Sequence, residues 1–321
     1  MRRAFVTAAI ALALLFSAGG AEAQYPSRPI RVIVPTTAGG VPDVLARTVG
    51  ARMADALGQP VVIENRAGAG GILAAEAVLK SPADGHTLFL GDTGNYAVSA
   101  ALYTKFPYDV EKDFAPVVLA AAPPVYLVTT ASSSIGSVQD FVRLATGAAP
   151  VLFGSTGNGN VTHLAMELFR SLTKANLIHV PYKGAAGLAP ALLSGEAGIG
   201  FIGYSIVAPH ARSGKLRILA VSTAKRSALT PEVPTMAEVG VPGYGFDISV
   251  GYLAPAGTPR AALIRLNEEI NRALKVAEVR KVLESAGIPP VGGTPEHFAD
   301  AIRTEVRQMT NLVKGAGLKV E

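Results

Sequence analysis

The sequence predicts an α/β protein with two doubly wound domains and a cleft between them. Three observations predict it. Short apolar strands alternate with amphipathic helices in two successive series, as layered α/β folds require. Almost every loop after a strand is built from Gly, Thr, Ser and Asn. The chain of 321 residues is long enough for two cores.

In order along the chain, IRVIVP (30–35) reads as a buried strand. VPDVLARTVGARMADAL then carries apolar residues at 44/45, 49 and 56/57 with Met53 between them, a recurrence that marks one helix face. Pro42 suits a first helical turn, and Gly58 ends the helix as a C′ glycine does. Strand VVIE (61–64), loop NRAGAGG (65–71), a helix over 72–80, the turn ADG and strand HTLFLG (86–91) complete a βαβαβ series. That order implies a parallel sheet between helices.

The second series runs through strand VYLVTT (125–130), helix SVQDFVRLAT (137–146), strand VLFGS (151–155) and a helix over 161–173. Strand LIHVP (177–181), helix 188–194, strand AGIGFIG (197–203), helix 205–212 and strand LRILAVST (216–223) follow. Residues 225–246 turn Pro-rich and irregular, DISVGYLAP (247–255) returns to strand, and helices over 259–275 and 295–314 close the chain. The expected domains are 24–122 plus 246–321, and 123–245.

The first 23 residues read as a targeting segment. Arg2 and Arg3 form a basic start, Ala4 to Phe16 an apolar core, and Ala21-Glu22-Ala23 a cleavage site. The apolar run is short of the ~20 residues a membrane span needs. A cleaved signal peptide with a mature chain starting at Gln24 is expected, and hence an exported protein. The absence of cysteine excludes disulfides, thiolate metal sites and cysteine catalysis. The mature chain would carry 27 basic and 23 acidic residues, 27 − 23 = +4. The cations are scattered and aromatics are only 6%, so no nucleic-acid footprint is present. A mildly basic surface favours encounters with small anions.

In doubly wound sheets, ligands sit beyond the carboxyl ends of the strands. The loops there are PTTAGG (35–40), NRAGAGG (65–71), GDTGN (91–95), STGNGN (155–160), PYKGAAG (181–187) and GYS (203–205). Turn chemistry alone explains any one of them. Six at corresponding strand ends point to two facing polar cradles.

Three enzyme signatures fail. RAGAGGIL (66–73) has its G-x-G at Gly68 and Gly70 but Leu73 where a dinucleotide fingerprint needs Gly or Ala. Asp92-Thr93-Gly94 resembles one half of an aspartic-protease dyad, but no second such triplet exists. No G-x-S-x-G elbow occurs, since GYSIV lacks its second Gly. His163 and Glu167 share a helix face without a third metal ligand, and Gly214-Lys215 is followed by Leu216, which rules out a phosphate-binding Walker loop. No catalytic residue, metal or cofactor is expected, only the holding of an anion.

The mature chain resembles, over nearly its whole length, the Bug-type (TctC-like) periplasmic receptors of tripartite tricarboxylate transporters. The residues that carry the resemblance are YPSRPIRVIVP (25–35), LGQPVVIENRAGAGG (57–71), ADGHTLFLG (83–91), LYTKFPYDVEKDFAPV (102–117), HVPYKG (179–184), AKRSALTPEVPTMAEVGVPGY (224–244), LAPAGTP (253–259) and GGTPEHF (292–298), in this order. The resemblance implies a type II periplasmic-binding-protein fold, a Venus flytrap whose two lobes close on a carboxylate, and delivery of that carboxylate by a monomer to a membrane permease. It carries ligand-binding roles onto Thr36, Thr37, Ala38, Gly39 and Gly40 in the first lobe. In the second it carries them onto Ser155, Thr156, Gly157 and Asn158, with Thr93, His163, Lys183 and Tyr204 as further candidates. Inward-aimed main-chain amides from both turns are expected to replace the water shell of the acid. The chain departs from the family pattern in Thr36, where an aromatic is frequent, in Asp92, where Ser is common, and in Gly198 and Ile202, where acidic residues are common. The alternative is a ligand sensor that presents its carboxylate to a membrane signalling partner; a hydrolase would instead turn its ligand over.

Overall fold

The computed structural model describes residues 25–318. The signal-peptide expectation, at residues 1–23, lies outside the described residues. The described residues build ten strands into two five-stranded sheets. The first contains β1 (Ile30–Val34), β2 (Val61–Asn65), β3 (Thr87–Asp92), β4 (Phe114–Ala121) and β10 (Val250–Pro255) in the order β2-β1-β3-β10-β4. The second contains β5 (Val125–Thr130), β6 (Val151–Ser155), β7 (Leu177–Pro181), β8 (Ile199–Gly203) and β9 (Leu216–Val221) in the order β7-β6-β8-β5-β9.

Neither sheet is purely parallel, which corrects the expectation. β10 runs antiparallel to both β3 and β4, and β5 antiparallel to both β8 and β9. The reason is the route of the chain. β5 is the strand that enters the second sheet after crossing from β4, and β10 re-enters the first sheet after crossing back from β9. Each arriving strand slots between two strands of one direction and runs against them. β4 also goes beyond the sequence reading. Pro116 argues against a central strand, but β4 is the edge of its sheet, where a missing N–H costs little.

Strand alternation covers both faces of each sheet. Ile30, Val32 and Val34 pack against the helices Val41–Leu57 and Arg260–Leu274 on one face, whereas Ile33 and Phe89 belong to the core on the other. That second core is continuous with the second lobe: it runs through Phe298 and Met309 of the helix Pro295–Ala316 to Phe141, Phe153 and Phe201. Tyr126, Val128 and Leu192 fill the outer face of the second sheet. The helix Pro295–Ala316 packs on both β4 and the helix Val161–Thr173 and so braces the two lobes behind the cleft. Its Glu305 accepts hydrogen bonds from Thr93 Oγ1 (2.7 Å), Tyr96 OH (2.9 Å) and Ser249 Oγ.

A cleft between two polar turns

The cleft opens where the carboxyl ends of both sheets face each other. It holds two adjoining cavities. The larger, about 400 Å³, is lined by Thr36, Asn95 and Tyr103 from the first lobe and the turn Thr156–Asn160 from the second. The smaller, about 180 Å³, lies nearer the crossing segments, between Val41, Pro124 and Ile248 and the start of the helix Tyr204–Arg212. Asp92, Thr156, Asn160 and Val161 line both.

The first turn, after β1, is organised by an acid of its own helix. Asp43, in the first turn of Val41–Leu57, is buried at 3% exposure. Its carboxylate accepts from the Gly39 amide (2.9 Å), Asn65 Nδ2 (2.9 Å) and Arg47 Nε (3.0 Å). Burial works to raise its pKa, yet those bonds and the Arg47 charge outweigh it and hold the group below the usual carboxylate range. The Gly40 amide donates to Thr37 O (3.2 Å). Two of the expected anion donors are therefore already engaged within the protein, Gly39 by Asp43 at the helix N-terminus and Gly40 by the Thr37 carbonyl. The amides of Thr37 and Ala38 keep no partner among the described residues, and neither does the buried Thr36 hydroxyl.

The second turn, after β6, is equally self-satisfied. The amides of Thr156, Gly157, Gly159 and Asn160 donate to Thr162 Oγ1 (2.9 Å), Ser155 Oγ (3.1 Å), His163 Nδ1 (3.0 Å) and Gly157 O (3.3 Å). Asn158, exposed on the cavity wall, is the residue of this turn whose amide stays unspent among the described residues. Ser155 Oγ lies 2.6 Å from His179 Nε2, and the His163 and His179 rings stack at 3.7 Å. Burial first, then the His163 neighbour, lowers the His179 pKa to about 4, so both contacts are those of a neutral imidazole. Ser155 is fully buried, so this Ser–His contact supports the turn and presents no nucleophile.

Among the described residues one formal charge lines the two cavities, and it is negative. Asp92, at the end of β3, exchanges hydrogen bonds with Asn95: its N–H donates to Asn95 Oδ1 (3.0 Å) and its Oδ1 accepts the Asn95 N–H (3.1 Å). Burial raises its pKa to about 6, against the pull of the Asn95 and Gly94 amides.

The family model described as "Tripartite tricarboxylate transporter family receptor" matches residues 45–318. The chain belongs to the TctC family of receptors. As a receptor family it is a binding-protein family and not an enzyme family. This TctC receptor is 36% identical over 299 residues to the Bordetella pertussis protein BugT, covering 92% of both chains. Its fold is similar to that of Rhodopseudomonas palustris MatC with bound malate, at a TM-score of 0.77 and 32% identity over 90% of this chain and 100% of the other. It is similar also to R. palustris Rpa4515 with adipate, at a TM-score of 0.80 and 34% identity over 92% and 99% of the two chains.

The cleft of the receptor brings together only part of the residue set expected from sequence. Thr36, Thr156, Gly157, Asn158 and Tyr204 line it. Thr37, Ala38 and Gly39 are exposed beside it, with Gly40 behind Thr36. Thr93 is fully buried and bonded to Glu305, on the far side of β3 from the cavities. Ser155 and His163 stand behind the second turn, and the exposed Lys183 lines neither cavity. Gly94, Asn95, Tyr103 and Ser205 do line the cleft and were not foreseen. Gly94 and Asn95 were within reach, since GDTGN was among the six loops. Tyr103 was not, because the π-helical turn Gly94–Val98 that leads to it has no recognisable spacing.

Proposed function

We propose that this TctC receptor captures a small carboxylate in the interlobe cleft and delivers it to the permease of a tripartite tricarboxylate-type transporter, acting in the periplasm as a monomer. One lobe, 24–122 plus 246–321, and the other, 123–245, would close on the ligand together. The observation that carries this reading is the supply of unspent donors, among the described residues, in the two turns that flank one cleft: the Thr37 and Ala38 amides beside it in the first lobe and the Asn158 amide on the wall of the second. Hydrogen bonds to a charged group contribute about 1.5–3 kcal/mol each. Micromolar retention needs about 8 kcal/mol net, so neither wall suffices alone and closure is part of binding. Because most main-chain amides of the two turns are engaged, hydroxyls and the Asn158 and Asn160 amide groups take a larger share than the sequence suggested. The malate and adipate complexes of the two R. palustris relatives support the carboxylate class.

Native mass spectrometry of freshly purified protein is expected to retain a small acid. A thermal-shift panel of mono-, di- and aromatic carboxylates should stabilise the wild type and stabilise Thr156→Val and Asn158→Ala less. A panel without any shift, or variants that bind as well as wild type, would remove the reading.

A further inference from the structure

We infer that Asp92 selects ligands bearing a hydrogen-bond donor, an ammonium or a hydroxyl, beside the carboxylate, so that the cleft takes amino- and hydroxycarboxylates in preference to plain acids. This deepens the proposed carboxylate function and rests on it.

Asp92 stands at the junction of both cavities, so a ligand that fills either lies against it. The side chain cannot turn away without cost, because the reciprocal pair with Asn95 fixes Oδ1 and the main-chain N–H together. Asn95 is itself held, its carbonyl accepting from Tyr108 OH (3.0 Å) and its Nδ2 donating to Gly70 O (3.3 Å). The partners of the carboxylate among the described residues are thus neutral main-chain groups, which leave it charged and with accepting capacity to spare.

Among the described residues no lysine, arginine or histidine lines either cavity; Tyr103 and Tyr204 are the other titratable groups on the walls. Behind Asp92, Tyr108, Tyr96 and Glu305 are the ionisable groups in the packed core, and none brings positive charge. A plain carboxylate entering this cleft would meet an anion of like sign with no cationic side chain of the described residues on either wall, which disfavours the charged pair. An ammonium on the ligand reverses that sign, and a hydroxyl uses the spare lone pairs while its carboxylate reaches the donors of the turns. The pKa of about 6 keeps Asp92 ionised at neutral pH and lets it lose its charge in mild acid.

Isothermal titration of the mature chain with two matched triplets tests this: succinate, malate and aspartate, then 3-phenylpropanoate, 3-phenyllactate and phenylalanine. At pH 7.5 the wild type is expected to bind at least one donor-bearing member of a triplet tenfold or more tighter than its plain parent. In Asp92→Asn, which keeps an oxygen for the Asn95 amide, and in Asp92→Ser, that ratio should fall at least tenfold as the parent acid gains affinity. At pH 5 the wild-type ratio should contract toward that of Asp92→Asn, whose own ratio stays constant apart from ligand titration. Parent acids that bind wild type as tightly as their donor-bearing partners would overturn the inference while leaving the carboxylate reading intact. So would ratios unchanged in both variants. Failure of all six acids to bind wild type or either variant would remove the carboxylate reading, and the inference with it.

Discussion

Leu102 and Gly159 meet across the cleft: a Cβ on Gly159 would stand 2.3 Å from Leu102 Cδ1. Gly159 also has φ of +63°, a conformation that side chains other than Gly adopt at a cost. The second turn can approach the first lobe only because this position has no side chain. Gly159→Ala is expected to lose about 1–3 kcal/mol of stability from strain and overpacking. It should also hold the lobes farther apart, seen as a larger radius of gyration in small-angle scattering. An unchanged radius would place the contact outside the control of the lobes.

The first turn should depend on Asp43 in the same way. Asp43→Ala leaves the Gly39 amide and one of the two Asn65 Nδ2 protons without an acceptor, the other still reaching Thr36 O, and the loss is expected to be roughly 2–3 kcal/mol by denaturant unfolding. The folded-state pKa of Asp43 is depressed, so its contribution is present above the unfolded value and lost as pH falls through the folded one. Wild type and Asp43→Ala should therefore converge in stability only in strong acid.

Glu305 predicts a pH effect of opposite sign. Burial, only partly offset by Ser249, Thr93 and Tyr96, raises its pKa to about 7. An acid raised in the folded state contributes stability below its unfolded pKa, and that contribution fades as pH rises through the folded value. Between about pH 4.5 and 7 the wild type should lose up to roughly 3 kcal/mol from this group relative to Glu305→Gln. Parallel melting curves for the two proteins across that window would contradict the assignment.

Gly40 offers a direct test of the first wall. A Cβ there would lie 2.9 Å from Thr36 Oγ1, and a carboxylate added at this point would repel an acid about 5 Å away by about 3 kcal/mol at an effective dielectric constant near 20. Gly40→Asp is expected to abolish, in a thermal-shift assay, the stabilisation that acids of the carboxylate panel give the wild type. Undiminished shifts would locate the acid away from this turn.

The two α/β series were legible because their periodicities are strong: the helix Val41–Leu57 begins and ends where Pro42 and Gly58 suggested. The antiparallel direction of β5 and β10 was not, since alternation of elements carries no information about which way a strand arriving from another lobe will run. The helix Ala277–Ser285 was missed because it follows Arg260–Leu274 with only two residues between. At the site, Thr36, Thr156 and Asn158 of the turns singled out in the sequence line the larger cavity. The sequence did not reveal that Asp43 and Thr162 take up the main-chain donors, because that depends on side chains from the following helices folding back over each turn. Asp92 was visible as an unusual acid, but its lack of a cationic neighbour emerged only from the two cavity walls together.

The insertion of β10 between β3 and β4 bears on how the protein is made. The second sheet draws all five strands from residues 125–221, so its pairings close within one uninterrupted stretch of chain. The first sheet has a gap until residues 250–255 arrive, and bridging residue 92 to residue 250 is a slow, entropically costly closure. A nascent chain emerging from its N-terminus would thus complete its second lobe before its first, and leave β3 and β4 with open edges until its last portion is delivered.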